Sequence, residues 1–227
     1  MAKRICFISE PHNHPVFREI KVEFKYYSGF AVSQKQKSII ELHQSINRLY
    51  PNLKVLEIST KSLDPLGVAL SAFNLRFYDD LRNKEYPLEN IFQSSKVFEF
   101  GGPYRDLLNV QPKDAKRDER LKSSGNLVCF NYNDKIWQLE PKTMFYDWLY
   151  ITALERSHGL AKKILEYDAF TDIEFNHEKS INCQARAAAI YVSLSKNNKL
   201  TEVLNNQEEF RKLYDIQVEN IQTTLFD

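Results

Sequence analysis

The stretch Glu89-Asn90-Ile91-Phe92-Gln93-Ser94-Ser95-Lys96-Val97-Phe98 contains no Pro or Gly, and Pro87 stands just ahead of it, where helices often begin. That pattern predicts a helix running to about Phe98. On a helix, steps of three, four and seven residues return to one face, so Glu89, Phe92 or Gln93, and Lys96 fall near a single line. The line carries a carboxylate, an aromatic ring, an amide and an amine. Ile91, Val97 and Phe98 would anchor the same helix in a core. Spacing alone leaves two readings open: an exposed Glu and Lys flanking a buried Phe, as Lys and Glu usually are, or a reactive cluster.

Upstream, residues 3–9 and 19–26 read as strands, the second with Ile20, Val22 and Phe24 alternating with charged neighbours. Ser33 with Gln36 predicts a capping box for a helix to about Tyr50, with Ile39, Ile40, His43, Ile46 and Leu49 inward and Pro51 as its stop. Leu53–Ser59 reads as a short strand and 79–86 as a polar loop. Ser59-Thr60-Lys61-Ser62, Pro65-Leu66-Gly67 and Leu70-Ser71-Ala72-Phe73-Asn74-Leu75 supply hydroxyls, a Lys and a Gly. Such groups wrap a phosphate or make an ordinary polar turn.

Downstream, Gly101-Gly102-Pro103 would end the opening helix, and 112–125 is dense in charge, including Lys113, Lys116, Arg117, Arg120 and Lys122. That segment reads as a solvated helix or loop, or as a contact for DNA phosphates. Leu127–Asn131 and Lys135–Leu139 predict a hairpin. A strong helix starts at Thr143 with Phe145, Trp148, Leu149, Thr152 and Ala153 on one face and a break at Gly159. Phe170–Phe175 reads as a strand holding Asp172, Ser180 as the cap of an Ala-rich helix, and 200–213 as a final helix. The whole gives a helix-rich α+β chain of one domain, 1–227, without repeats or a linker.

Composition bounds the function. A 43% hydrophobic content supplies a core, and a net charge of +1 gives no general pull toward nucleic acid, so any DNA contact needs a local patch. Cys6, Cys129 and Cys183 are odd in number and widely spaced, which reads as reduced thiols in a cytoplasmic protein. His12 and His14 lie in a Pro-flanked loop without partners, so no metal and no cofactor is expected. No apolar run approaches the ~20 residues a membrane helix needs.

Several blocks together resemble the NADAR (YbiA-like) family. Glu89, Gln93, Lys96 and, one place displaced, Phe98 resemble its Glu-His-x-x-x-Gln-x-Lys-Phe helix, with Asn90 in place of the His. Leu70-Ser71-Ala72-Phe73-Asn74 resembles its Ser-Asn-Phe block, with Ala72 and Asn74 departing from the usual order. Asp172 and Asn182 resemble its late Asp and Asn, without the usual Trp-Gly and Gly-x-Asn surroundings. Ser-Gln-Lys-Gln-Lys-Ser-Ile at 33–39, Lys-Val-Phe at 96–98 before Gly-Gly-Pro-Tyr, Phe-Tyr-Asp-Trp-Leu-Tyr at 145–150, and the Thr171–Asn176 and Lys179–Arg186 blocks are similar to one branch. That branch holds the NADAR antitoxins paired with DarT-type toxins, and the likeness covers about 27–195, leaving the N-terminal strands and C-terminal helix as extensions.

The resemblance implies a single YbiA-like domain and an antitoxin that removes ADP-ribose from guanine in DNA, reversing a DarT-type toxin. It carries catalytic roles onto Lys96, Glu89 and Asp172. An amine such as Lys96 forms a Schiff base with an opened sugar if burial keeps it partly unprotonated, whereas a touching Glu89 would hold it charged and electrostatic. Lys61, Ser62, Ser71 and Asn74 are candidates for the pyrophosphate and ribose, and Gln93 belongs to the same helix motif. Phe92 and Trp148 are candidates for stacking on a base, or core rings. Asn182 is a sugar ligand or a helix cap. Other readings are a non-catalytic reader of ADP-ribosylated DNA, an antitoxin acting by contact, or an N-glycosidase for small phosphorylated ribosyl metabolites.

Overall fold

A computed structural model of the chain describes residues 1–176 and 181–222, with side chains as far as residue 214. The chain opens with a hairpin of β1 (Ala2–Ser9) and β2 (Phe17–Phe24), followed by α1 (Val32–Leu49), β3 (Val55–Glu57) and α2 (Pro65–Ala69). A second hairpin, β4 (Arg76–Asp79) and β5 (Lys84–Pro87), runs into α3 (Leu88–Ser94) and β6 (Lys96–Phe98). After a 3-10 turn at Arg105–Asn109 come α4 (Pro112–Arg117), α5 (Arg120–Ser123), β7 (Leu127–Tyr132) and β8 (Lys135–Trp137). The chain continues through α6 (Met144–Arg156), α7 (His158–Ile164), β9 (Ala169–Thr171), α8 (Gln184–Lys196), α9 (Leu200–Asn205) and α10 (Gln207–Gln222).

The main sheet has the order β2-β1-β9-β3, antiparallel except for the parallel pair β3 and β9. Alternation in β1 sends Ile5 and Phe7 to one face and Cys6 and Ile8 to the other. α1 covers the second face with Ile39, Leu42 and Ile46, while α8 packs on the first. Ala185, Ala187, Ala188 and Ala189 on α8 are all fully buried, and their small size lets α8 lie close against α6. Beyond α6, Phe77, Phe92, Phe130, Tyr132, Trp137, Phe145 and Trp148 form one continuous aromatic cluster. At ~1.5–3 kcal/mol for each large apolar side chain fully buried, this cluster contributes substantially to folding. The result is the expected helix-rich α+β architecture.

Several elements differ from the sequence reading. The opening helix ends at Ser94. Ser94 and Ser95 both donate their hydroxyls to the Ile91 carbonyl, at 3.1 and 2.7 Å, which competes with helix propagation. The Asn131 amide then captures the Ser95 carbonyl at 2.7 Å, and Lys96 enters a strand paired with β7. Lys96 is therefore not on the Glu89 helix. The loop at 79–86 is instead the turn of a hairpin, closed by buried Asp79, which accepts from the Leu81 and Arg82 amides. Ala31 rather than Ser33 precedes α1 without a side-chain cap, and Ile40 and Leu49 face solvent. The break after α6 falls at Ser157, with Gly159 inside α7. Ser180 lies outside the described residues, and α8 begins at Gln184. The strand expected at Phe170–Phe175 stops at Thr171, and Asn206 caps α10, splitting the final helix.

Candidate active site

A cavity of about 130 Å³ opens where β3 and β9 end, and its walls include Glu89, Lys116, Tyr146, Asp172, Asn182 and Gln184. The carboxyl ends of parallel strands are the ordinary place for a site in an α/β sheet, because loops there diverge and leave a crevice. Here Ser59 and Thr60 follow β3 and Asp172 follows β9, and all three line the cavity.

Asp172 is fixed from three directions. Its Oδ1 accepts the Glu174 and Phe175 amides at 3.0 and 3.2 Å, and its Oδ2 accepts Gln184 Nε2 at 3.0 Å. Gln184 also donates to the Ile58 carbonyl at 2.7 Å and accepts the Ala72 amide at 2.8 Å. One amide thus ties α8, the end of β3, the 70–75 loop and the carboxyl together. Burial, and behind it the charge of Glu57, push the Asp172 carboxyl up to about 7. Glu57 is itself fully buried at the end of β3, and burial raises its pKa too. No residue larger than Gly67 fits beside that strand end, since a β-carbon there would collide with the Glu57 carbonyl oxygen.

Glu89 reaches the cavity because α3 is docked on the 70–75 loop. The Leu88 and Glu89 amides, left unpaired by the start of the helix, donate to the Leu75 and Ala72 carbonyls at 2.9 and 3.0 Å. Glu89 is 4% exposed, and Gln93 Nε2 donates to its Oε1 at 2.8 Å. Asn90 points the opposite way and ties the carbonyls of Leu107 and Val110 to α3 at 2.7 and 2.8 Å. That turn leads into α4, which carries Lys116 to within 3.9 Å of Glu89.

Lys96 is half-buried, with its amine 5.0 Å from the Phe92 ring centroid. Burial lowers its pKa, Glu89 opposes that shift, and Lys116 adds to it. Among the described residues it makes no ion pair, and it is not one of the residues lining the cavity. Gly102 holds the far side of its strand, where any β-carbon would strike the Lys96 carbonyl oxygen.

The structure brings Glu89, Asp172, Ser71 and Asn182 to one cavity, with Gln93 one hydrogen bond behind Glu89. The Asn182 side chain does not cap α8, whose capping residue is Cys183. Ser71 donates its hydroxyl to the Val68 carbonyl at 2.8 Å. Lys61, Ser62 and Asn74 are not in the lining: Ser62 closes its own turn through the Asp64 amide, and Asn74 is exposed and bonded to Val68. Phe92 and Trp148 sit in the aromatic core, Phe92 against Phe130 and Tyr146, Trp148 against Trp137 and Phe77. The basic segment contributes only Lys116 to the lining, while Arg120 is bound by Asp106 and Asp118.

Sequence reasoning missed four neighbours. Tyr146 lies inside the Phe-Tyr-Asp-Trp block, and burial holds its hydroxyl protonated far above neutrality. Gln184 lies inside the Asn-Cys-Gln-Ala block, so its motif was visible and its role was not. Lys116 was hidden in a charge run. Nothing local distinguishes Glu57 from an exposed strand carboxylate.

A wider cleft of about 1280 Å³ lies elsewhere, lined in part by His12, His14, Glu140, Thr143, Arg186 and Tyr214. Its size does not make it the better candidate. The buried carboxylate beside it, Asp147, has its charge paired with Arg186, and its Oδ2 accepts from Thr143, Arg186 and Tyr214 at 3.1, 2.7 and 2.7 Å. Among the described residues no cluster of three or more His, Cys, Asp or Glu is placed to hold a metal ion, and no helix is long and apolar enough to cross a membrane.

No curated protein matches the chain. A family model described as the DarT1-associated NADAR antitoxin matches residues 2–223, almost the full length. With that coverage, and the Glu89, Asp172 and Asn182 blocks meeting at one cavity, the chain belongs to the DarT1-associated NADAR antitoxins.

Proposed function

We propose that the protein is an N-glycosidase that removes ADP-ribose from guanine bases of DNA and so reverses a DarT-type toxin. The observation that carries this reading is the convergence of two buried carboxyls, Glu89 and Asp172, on a cavity of about 130 Å³. Pockets that enclose a whole drug-sized ligand span ~300–1,000 Å³. A cavity this small suits a single five-membered sugar, with the pyrophosphate and the DNA lying across its mouth beside Lys116.

Breaking the bond between the anomeric carbon and the guanine nitrogen places positive charge on the sugar and requires a proton on the departing base. Asp172, still carrying its proton near neutral pH, supplies acid to open the sugar ring or to the leaving nitrogen. Glu89 stabilises the developing positive charge. Lys96 stands outside the lining but near enough to Glu89 and Lys116 for their charges to act on it, and burial makes its amine less basic. Once the ring opens and frees the anomeric carbon, that amine adds to it and the base departs as its amine. Water then releases Lys96. The balance is one water consumed, its hydroxyl on the ribose and its remaining hydrogen on guanine. Ser71 and Asn182 hold the sugar hydroxyls.

The test is incubation with an oligonucleotide carrying ADP-ribosylated guanine. Free ADP-ribose and an intact, unmodified strand are expected, and both are lost in Asp172→Asn and Glu89→Gln. Tight binding with no release over hours would replace this reading with that of a non-catalytic reader.

A further inference from the structure

Glu57 is a buried carboxylate beside the site with no task in the chemistry above. Its Oε2 accepts the Thr171 hydroxyl at 2.6 Å and its Oε1 accepts the Ile173 amide at 2.8 Å. These two residues flank Asp172, so a single carboxylate grips the chain immediately before and immediately after the residue that faces the cavity. His43 Nε2 meets Thr171 Oγ1 at 2.9 Å from α1, which locks the grip to the opposite face of the sheet.

We infer that Glu57 is a positioning residue for Asp172: it clamps the backbone on both sides of it and, as a second carboxyl sealed behind it, disfavours a negative charge on Asp172. The inference rests on the reading of Asp172 as the acid of the site. Two carboxyls in one dry environment do not both ionise readily, since the second charge has neither water nor a cation to offset it. Lys116 lines the same cavity but is paired with Glu89, and the other groups facing the pair do not supply that cation. Glu174 adds a further negative charge, Tyr146 and Tyr150 of α6 and Cys183 ahead of α8 are held neutral by burial, and burial also keeps His43 neutral. Of the two carboxyls, Asp172 borders the cavity and Glu57 does not. A proton held on Asp172 is therefore open to a substrate, and one on Glu57 is not.

The experiment is a carboxyl carbon NMR titration of the full chain labelled in aspartate, with the Asp172 signal identified by its absence in Asp172→Asn. It needs no substrate, so it decides the role of Glu57 whatever the protein acts on. In Glu57→Gln the Asp172 midpoint is expected to fall by about one pH unit or more, because the neighbouring charge is gone. Thr171→Val, which removes a donor from Glu57 and keeps the volume, makes Glu57 harder to ionise and is expected to lower the midpoint too, by less than Glu57→Gln. It also serves if Glu57→Gln does not fold. A midpoint unmoved in the folded variants would overturn the inference. In parallel, the decline of ADP-ribose release with rising pH should shift to lower pH in Glu57→Gln. Release absent from the wild type, with the NMR shift present, would sink the substrate assignment and leave the clamp standing.

Discussion

Lys116 Nζ stands 3.9 Å from Glu89 Oε1, at the mouth of the cavity that also holds Asp172. Two unit charges at that distance attract by ~4 kcal/mol at an effective dielectric of ~20. The Lys116 side chain is 55% exposed, however, so screening reduces the pair to about 0–1 kcal/mol of stability. Its importance lies in charge at the mouth, and Lys116→Ala is expected to leave the denaturation midpoint nearly unchanged. The same variant should lower kcat/KM for ADP-ribosylated DNA by about 3–10-fold at low salt and by less at high salt. A loss independent of salt would argue against a phosphate-facing cation.

Gln184 joins four segments through one amide, bonding Ile58, Ala72 and Asp172 from the start of α8. Gln184→Leu leaves the Ile58 carbonyl and the Ala72 amide without this partner, at ~1–3 kcal/mol for each buried group left unpaired. Urea denaturation should show a loss on the order of 2–4 kcal/mol. Turnover should drop further than binding, because the carboxyl loses its aim. Gln184→Glu separates the two effects, since it keeps an acceptor for Ala72 and repels Asp172.

Asp172 carries a sign that can be worked through. Its folded carboxyl keeps its proton up to about 7, while the unfolded chain releases it near the ordinary 3.8. Between those values the folded state holds the extra proton, so this residue's contribution to stability is complete in acid and is lost as pH rises toward neutrality. Asp172→Asn removes that dependence. Denaturant melts across the pH series should show the variant gaining on the wild type from about pH 4 to about pH 7, by on the order of 1–4 kcal/mol. A constant gap between the two curves would mean that Asp172 titrates like an exposed aspartate.

For Lys96, charge and nucleophilicity can be told apart. Lys96→Arg keeps the charge but not an amine that loses its proton near neutrality. Borohydride added during turnover should trap a protein–sugar adduct in the wild type and none in Lys96→Arg or Lys96→Ala. Release should fall by about 10²-fold or more in both. If Lys96→Arg retains release, the residue works electrostatically and no imine forms.

The sequence alone determined the elements with a strong internal pattern. The alternating β2, the periodic α1, the β7–β8 hairpin and the Ala-rich α8 lie within a few residues of where they were read, because side-chain periodicity is a local property. The opening stretch starts a helix as its pattern predicts, but that helix stops at Ser94 and not at Phe98. Its end is set partly by two serine hydroxyls and partly by β7, a strand more than thirty residues later that takes up the Ser95 carbonyl. The family-like blocks likewise contain Glu89, Asp172 and Asn182, three of the residues that line the cavity.

Tertiary structure decided what those groups experience. Glu57 and Thr171 are 114 residues apart in the chain and 2.6 Å apart in space, and it is burial, with the charge of Glu57 behind it, that raises the Asp172 carboxyl. Lys116 came out of an unremarkable charge run to face Glu89, while Phe92 and Trp148 went into the core. Residue type and spacing specify which surface a side chain seeks. A pKa or an ion pair depends on distance and desolvation, and both exist only once segments remote in sequence have packed together.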